Sequence, residues 1–327
     1  MLKRYDRNPI INADPNSKWF PKKAYNGTVV KHDGVYNMLF RGVGEDWVSR
    51  ILLATSHNGV DFEIDPTPVI VPENSWEEKG CEDPRMIYLN GKYWTTYTAF
   101  DGTKARAAIA SSYDLHQWQK HNLMFPRLTH TQRENLPDDW SKAAAIIPEN
   151  INGRYYILFG DNHIWPAISD DLLHWLPISA PIISARKDHF DAAYVEMGPP
   201  PIRIDKGWLV FYHGIDNFSE KRIYRLGAAL LEHDNPHQVI WRCSKPILEP
   251  RESYETVGYT DLVPGGYKAL RTMSTDDIDK LAEKKLLPES VFCCGAILED
   301  DVVRLYYGAG DTRICTATID LPTILNS

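Results

Sequence analysis

Residues 91–97 read Gly91-Lys92-Tyr93-Trp94-Thr95-Thr96-Tyr97, and Ala107-Ala108-Ile109-Ala110-Ser111-Ser112 and Asp114-Leu115-His116-Gln117-Trp118 follow them after a short gap. The first two runs are rich in β-branched, aromatic and small apolar residues, which is typical of strands. The last run is a polar turn. The segment therefore predicts a small antiparallel unit of two strands and a turn that leads to a further strand.

The same unit recurs along the chain. Its third copy repeats the turn, with Gly153-Arg154-Tyr155-Tyr156-Ile157-Leu158-Phe159 followed by Ala167-Ile168-Ser169 and Asp171-Leu172-Leu173-His174-Trp175. The first, fourth and fifth copies begin with Gly34-Val35-Tyr36-Asn37-Met38-Leu39-Phe40-Arg41, Gly207-Trp208-Leu209-Val210-Phe211-Tyr212-His213 and Arg304-Leu305-Tyr306-Tyr307-Gly308. The first four copies recur at roughly the 40–60 residue spacing of repeat architectures.

Five copies of a small antiparallel sheet predict an all-β chain folded as a five-bladed β-propeller. Each blade of a propeller buries both faces against its neighbours, which explains strands that are apolar on both sides. The alternative is a β-sandwich with coincidental self-similarity. The Asp-Leu pair and the Trp that copies two and three share at the same spacing favour the propeller.

One segment, residues 259–289, does not fit the repeat. Within it Thr275 is a candidate N-cap, two aspartates favour the first turn of a helix, and two lysines favour the last turn. We therefore predict a short helix from Thr275 to Leu287 in an insertion before the last blade, docked on the propeller or on a partner subunit of a homo-oligomer. No linker rich in Pro, Gly or Ser divides the chain, so residues 1–327 are predicted to form a single domain.

Composition narrows the class of protein. The 327 residues carry a net charge of −8, which argues against nucleic-acid binding. No apolar run reaches membrane-spanning length, and the first residues have no apolar core of a signal peptide. The five cysteines are odd in number and include the adjacent Cys293 and Cys294, which does not resemble a disulfide framework. A reduced, cytoplasmic protein is expected.

The loops at one end of a propeller converge, so polar residues at equivalent blade positions are candidates for one shared site. The candidates by position are Asn26, Arg41, Glu82, Asp83, Lys142, Asp161, Glu196, Tyr212, His213 and Asp311. Taken alone, Lys142 is more often a solvated surface residue, His213 a core histidine, and Arg106 a charge at a strand edge. A buried cluster of charges costs free energy unless it is paired or used, so the shared positions favour a site.

Several motifs appear in the order typical of one enzyme family. They are Cys81-Glu82-Asp83-Pro84-Arg85, Glu196-Met197-Gly198-Pro199-Pro200-Pro201, Phe211-Tyr212-His213-Gly214, Tyr254-Glu255 with Gly258, and Tyr306-Tyr307-Gly308-Ala309-Gly310-Asp311-Thr312. Over nearly its whole length the chain resembles glycoside hydrolase family 130, the β-mannoside phosphorylases and related β-mannosidases. The fold of that family is a five-bladed propeller, in agreement with the repeat.

The resemblance implies inverting phosphorolysis, in which inorganic phosphate attacks C1 of a β-linked mannose and releases α-mannose 1-phosphate. Asp83 falls on the general acid, which acts through the 3-hydroxyl of the mannose. No carboxylate base is required, because phosphate arrives as an anion. The implied phosphate ligands are Arg106, Lys142, Tyr212 and His213. The implied mannose ligands are Asn26, Arg41, Glu82, Asp161, Glu196 and Asp311. Phosphate is a co-substrate, and neither a cofactor nor a metal is expected.

Two departures from the family pattern, at Phe159-Gly160-Asp161 and in the insertion of residues 259–289, bear on specificity. The run Lys142-Ala143-Ala144-Ala145-Ile146-Ile147-Pro148 resembles the branch that acts on β-1,2-linked mannosides, and Phe159-Gly160-Asp161 differs from the mannosyl-glucose phosphorylases. The expected partners are therefore a β-mannoside oligosaccharide and phosphate.

Three alternatives stay open at this stage. A β-1,2-mannoside hydrolase would need a second carboxylate, which Glu196 could supply, roughly 6.5–9.5 Å from the first. A transferase would use a nucleotide-activated mannose, although no glycine-rich phosphate loop supports it. A propeller could also be a sugar-binding module without activity.

Overall fold

The computed structural model describes residues 1–126, 128, 140–217, 223–256 and 289–327. Within these ranges the chain is nearly all β, with a 3-10 turn at Ser75–Glu77 and one short α-helix, α1 (Leu321–Leu325). None of the helices described there is long and apolar enough to span a membrane. The all-β class is thus confirmed. The helix predicted from Thr275 to Leu287 lies outside the described residues.

The largest sheet covers the first two copies of the repeat. Its strands are β2 (Lys23–His32), β3 (Val35–Val43), β4 (Ser49–Ser56), β5 (Glu63–Ile64), β6 (Gly80–Leu89), β7 (Lys92–Phe100), β8 (Ala105–Ser112) and β9 (Gln119–Leu123). Pairing within each copy is antiparallel, and one parallel pair, Ser49 with Gly80, joins β4 to β6. The eight strands are therefore two consecutive antiparallel units whose backbones are joined by this one parallel pair.

Each later copy forms its own antiparallel sheet. The third sheet unit contains β10 (Ala145–Ile146), β11 (Tyr155–Phe159), β12 (His163–Ser169), β13 (Leu176–Pro177) and β14 (Ile183–Ser184), and the fourth contains β15 (Tyr194–Met197), β16 (Ile202–Ile204), β17 (Gly207–Ile215), β18 (Arg225–Leu231) and β19 (Val239–Arg242). The fifth contains β20 (Val291–Glu299), β21 (Val302–Ala309) and β22 (Arg313–Asp320). Counted by hydrogen bonding, the described strands form four sheets.

The first strand of the chain, β1 (Lys3–Arg4), belongs to the last sheet. It pairs antiparallel with β22, with Lys3 opposite Thr318 and Arg4 opposite Ala317. The side-chain amide of Asn8 adds a hydrogen bond to the carbonyl of Thr316 at 2.9 Å. The beginning and the end of the described chain are therefore held in one sheet.

The apolar character of the strands on both faces matches their burial. All nine residues of β17 are buried, and large side chains such as Trp208, Phe211 and Phe40 are almost fully removed from water. Buried side chains of consecutive units pack into shared clusters, for example Phe159 of the third unit with Phe125 after the second. Burial of both faces is what a stack of sheets requires.

The Asp-Leu turn shared by copies two and three has the same structure in both. In each, a serine hydroxyl and an aspartate carboxylate accept backbone N–H groups of the turn, and Leu115 and Leu172 adopt positive φ angles of 69° and 67°. The indole N–H of Trp118 then donates to the carbonyl of Leu115 at 2.7 Å, and Trp175 donates to Leu172 at 2.9 Å. The repeated Asp-Leu motif therefore forms a structural turn and contains none of the candidate site residues.

Register irregularities occur at the same place in the first strands of three units. They lie between Tyr25 and Thr28 in β2, between Glu82 and Arg85 in β6, and between Cys293 and Gly295 in β20. A bulge inserts extra residues and redirects side chains out of the regular pleat. Asn26 and Asp83, two predicted site residues, are the bulged residues of their strands, with φ of 53° and 48°.

Candidate active site

Four predicted residues form one hydrogen-bonded cluster. The side-chain amide of Asn26 donates to Asp83 Oδ1 at 2.8 Å, and the Arg41 guanidinium donates to the same oxygen at 3.1 Å. A second nitrogen of Arg41 donates to Glu82 Oε1 at 2.8 Å, and its Nε donates to Ser49 Oγ at 2.9 Å. One guanidinium therefore fixes both carboxylates of the Glu82-Asp83 pair.

Asp83 is an ionised carboxylate in this arrangement. Burial raises the pKa of Asp83, but the charge of Arg41, the hydrogen bond from Asn26 and the charge of Arg85 outweigh that effect and hold the pKa below its usual value. Its side chain is 14% exposed, against 8% for Glu82. Asp83 is thus the carboxylate of the pair that is more open to a ligand.

A second cluster contains Lys142, Asp161 and Glu196. The Lys142 ammonium lies 2.7 Å from Glu196 Oε1 and 4.0 Å from Asp161 Oδ2. The hydroxyl of Tyr194 donates to Glu196 Oε2 at 2.6 Å, and the indole N–H of Trp140 donates to Asp161 at 3.1 Å. Burial, Arg41, Asn26 and Arg85 have larger effects on the pKa of Asp83, but the positive charge of Lys142 also lowers it. The Lys142 cluster therefore acts electrostatically on the Asp83 cluster.

Charged residues of both clusters act on the pKa of His213. Burial lowers its pKa well below the usual value, and the positive charges of Arg85 and Lys142 lower it further. Its Nε2 accepts the backbone N–H of Cys293 at 2.8 Å, and its ring stacks on Phe292 with the centroids 4.0 Å apart. A neutral imidazole that accepts at Nε2 carries its proton on Nδ1. His213 is therefore neutral, with its proton on the buried Nδ1, and its phosphate role stays a prediction.

The neutral state of His213 makes the stability of the protein depend on pH. Below about pH 6.5 the unfolded chain protonates this histidine while the folded chain does not, so the free energy of unfolding falls as pH falls, by up to about 1.4 kcal/mol per pH unit. We expect His213→Gln to reduce the stability difference between pH 7 and pH 5 by about 2 kcal/mol in urea unfolding. His57→Gln, at an exposed position, should leave the difference unchanged. An equal pH dependence in the wild type and His213→Gln would contradict the neutral assignment.

Asp311 joins the first cluster from the fifth unit. It adopts a φ of 55° and accepts a hydrogen bond from Ser290 Oγ at 3.1 Å. Burial raises the pKa of Asp311, and the negative charge of Asp83 raises it too. The positive charges of Lys23 and Arg41 lower it, but the net effect is a pKa above the usual value. Two carboxylates, Asp83 and Asp311, therefore have pKa values displaced in opposite directions within one site.

Two predicted phosphate ligands are engaged elsewhere. Arg106 pairs with Asp101 of the same unit. The hydroxyl of Tyr212 donates to Asp191 Oδ2 at 2.7 Å and accepts from Arg242 Nε at 3.0 Å, in a buried ion network. None of these described contacts joins Arg106 or Tyr212 to the Asp83 or Lys142 cluster. The phosphate roles of Arg106 and Tyr212 therefore stay predictions.

Two residues near the site were not assigned roles from sequence. Arg85 is 2% exposed and donates to the backbone carbonyls of Asp83, Met197 and Gly198 at 3.0, 2.8 and 2.7 Å. Tyr194 is the hydroxyl donor to Glu196. Its position two residues before Glu196 on a strand places both side chains on one face, a signal that the sequence did carry.

Comparison with known proteins bears on the family of this chain. The family model described as β-1,4-mannooligosaccharide phosphorylase, that of glycoside hydrolase family 130, matches residues 3–270. A 1,2-β-oligomannan phosphorylase of Thermoanaerobacter sp. strain X514 is 30% identical over 99% of this chain and 98% of its own length. A β-1,2-mannobiose phosphorylase of the same organism is 32% identical over 98% and 97% of the two chains.

A solved structure gives the same result for the fold. It represents the GH130 family of mannoside phosphorylases, described as containing glycoside hydrolases that target β-1,2 mannosidic linkages in Candida mannan. It superposes with a TM-score of 0.82 at 26% identity, over 98% of this chain and 94% of the other. With the family model and both relatives spanning most of the sequence, this chain belongs to glycoside hydrolase family 130.

Proposed function

We propose that this protein is a glycoside phosphorylase that transfers the mannosyl group of β-1,2-linked mannosides to inorganic phosphate, reversibly and with inversion, giving α-mannose 1-phosphate. The observation that carries the proposal is that both carboxylate oxygens of Glu196 are engaged by other side chains. One of its oxygens is 2.7 Å from the Lys142 ammonium, and the other accepts the Tyr194 hydroxyl at 2.6 Å. A carboxylate held on both oxygens is a poor base for water, whereas the Lys142 cation suits a phosphate.

The chain's residues divide the chemistry in a simple way. Asp83 supplies the proton for the leaving oxygen, through the 3-hydroxyl of the mannose in the scheme that the family resemblance implies. Asn26, Arg41, Glu82, Asp161, Glu196 and Asp311 hold the mannose hydroxyls. Lys142 and the Nδ1–H of His213 hold phosphate, which attacks C1 without a base.

Phosphate also accounts for the protonation of Asp83. A general acid must carry a proton, yet Arg41 and the other positive charges keep the pKa of Asp83 below its usual value in the free protein. A bound phosphate brings negative charge next to Lys142 and offsets those positive charges, which favours proton uptake by Asp83. Proton uptake is thereby linked to the arrival of the nucleophile.

The remaining features of the proposal concern the whole molecule. We infer that the five antiparallel units are the blades of one five-bladed propeller and that residues 1–327 form one domain. The site then lies where the first strands of the blades meet, and the bulges of β2 and β6 turn Asn26 and Asp83 toward it. The protein would act in the cytoplasm, with phosphate as its co-substrate and with no cofactor.

The test is a product analysis with and without phosphate. Purified protein is incubated with β-1,2-mannobiose, and mannose and mannose 1-phosphate are resolved; β-1,4-mannobiose serves as the matched substrate. We expect mannose 1-phosphate only when phosphate is present and mainly from the β-1,2 linkage. Release of free mannose alone, at a rate indifferent to phosphate, would replace the proposal with hydrolysis.

A further inference from the structure

Tyr194 occupies a special place in the Lys142 cluster. It lies on β15 two residues before Glu196, so the two side chains share a face of the strand. Its hydroxyl donates to Glu196 Oε2 at 2.6 Å and lies 3.4 Å from Asp161 Oδ2. Tyr194 thus contacts both carboxylates that surround the Lys142 ammonium.

Exposure shows which end of this cluster faces a ligand. The side chain of Glu196 is 2% exposed and that of Lys142 is 22% exposed, while Tyr194 is 7% exposed. The ammonium is therefore the accessible end of the cluster, and Glu196 and Tyr194 lie beneath it. An anion that reaches this cluster meets Lys142 first.

A lysine in this position needs support. Its ammonium sits on a flexible four-carbon stem, so it has no preferred geometry unless its partners supply one. Glu196 supplies that geometry only if the carboxylate itself is fixed. Lys142 holds one Glu196 oxygen and Tyr194 holds the other, so the tyrosine determines the orientation of the carboxylate plane.

We propose that Tyr194 is a positioning residue for phosphate, which it serves by fixing Glu196 and through it the ammonium of Lys142. The inference rests on the proposed function, because it takes Lys142 as a phosphate ligand. It assigns no contact between Tyr194 and the substrates. Loss of the hydroxyl should therefore weaken the binding of phosphate much more than the binding of sugar.

The chain contains a matched control. The hydroxyl of Tyr307 donates to Glu255 Oε1 at 2.7 Å, and Glu255 pairs with Arg4 at 2.8 Å. This triad repeats the tyrosine, glutamate and cation of the site, and Tyr307 is likewise buried. Tyr307→Phe therefore reproduces the structural cost of losing a buried hydroxyl without touching Lys142.

The experiment compares Tyr194→Phe with Tyr307→Phe and the wild type. For Tyr194→Phe we expect the KM for phosphate to rise about tenfold, as expected for one lost hydrogen bond, while the KM for β-1,2-mannobiose changes less than about twofold. Calorimetric binding of inorganic phosphate to the free protein should weaken by the same factor. Tyr307→Phe should leave all three quantities close to those of the wild type.

A double-mutant cycle separates positioning from a structural effect. In a Lys142→Met background, Tyr194→Phe should cause no further loss of phosphate binding, because the tyrosine acts through the ammonium. Equal changes in both KM values, or a full further loss in the Lys142→Met background, would overturn the inference. If the wild type makes no mannose 1-phosphate, the proposed function fails, and phosphate calorimetry still decides whether Tyr194 supports an anion site.

Discussion

Asp83→Asn is expected to lower turnover of β-1,2-mannobiose by about a thousandfold or more, since a positioned general acid contributes roughly 10²–10⁴ in rate. The amide keeps the size of the carboxyl and can still accept from Asn26 and Arg41, so sugar binding should persist. Product formation under saturating phosphate and calorimetric binding of β-1,2-mannobiose measure the two effects separately.

The control for this substitution matches its backbone. Asp83 has a φ of 48°, and Asp33 has a φ of 49° in an exposed turn. Asparagine tolerates this left-handed conformation as aspartate does. Asp33→Asn should therefore retain full activity. If Asp83→Asn keeps more than about a tenth of the wild-type turnover, Asp83 is not the residue that supplies the proton.

Among the variants discussed, Arg85→Met is expected to lower the free energy of unfolding the most, by about 3–5 kcal/mol in urea unfolding. The guanidinium is almost fully buried, and its removal leaves three backbone carbonyls, those of Asp83, Met197 and Gly198, without these donors. Each buried acceptor that loses its partner costs about 1–3 kcal/mol. Methionine fills much of the volume, so the loss reports the hydrogen bonds more than a cavity.

An exposed arginine provides the comparison. Arg154 is 57% exposed and lies 3.9 Å from Asp170, a surface pair of the kind that contributes little. Arg154→Met should change the free energy of unfolding by less than about 0.5 kcal/mol. A loss below about 1 kcal/mol for Arg85→Met would show that water replaces its hydrogen bonds and that the arginine is not a structural link between β6 and β15.

The strands of this protein could be predicted from sequence because their signal is local. The predicted run from Gly34 to Arg41 corresponds to Val35–Val43, and the run from Gly153 to Phe159 contains Tyr155–Phe159. Alternation, aromatic content and glycine-initiated turns are read within each copy. Whether the copies close into a five-bladed ring depends on contacts between units, and that part stays a prediction.

The site could be predicted only in part. Motif order and blade position identified Asn26, Arg41, Glu82 and Asp83, which the structure brings into hydrogen bonding. The same reasoning could not show that Tyr212 is held by Asp191 and Arg242, because those partners lie 21 and 30 residues away and carry no local pattern.

The bulges in β2 and β6 could not be predicted from the sequence either. Period-2 patterning assumes a regular pleat, so it gives the side of a strand but not an inserted residue that redirects Asn26 or Asp83. The positive φ angles of these residues are tolerated by asparagine and aspartate, which makes their residue types informative only once the bulge is known.

The pairing of β1 with β22 has a consequence for synthesis on the ribosome. Asn8 and its hydrogen-bond partner Thr316 are 308 residues apart in the chain. At about 5–20 residues per second, the first strand waits on the order of 15–60 s before its partner exists. The first strand of each nascent molecule therefore stays without its partner during that interval, and the last sheet is completed only when β22 emerges.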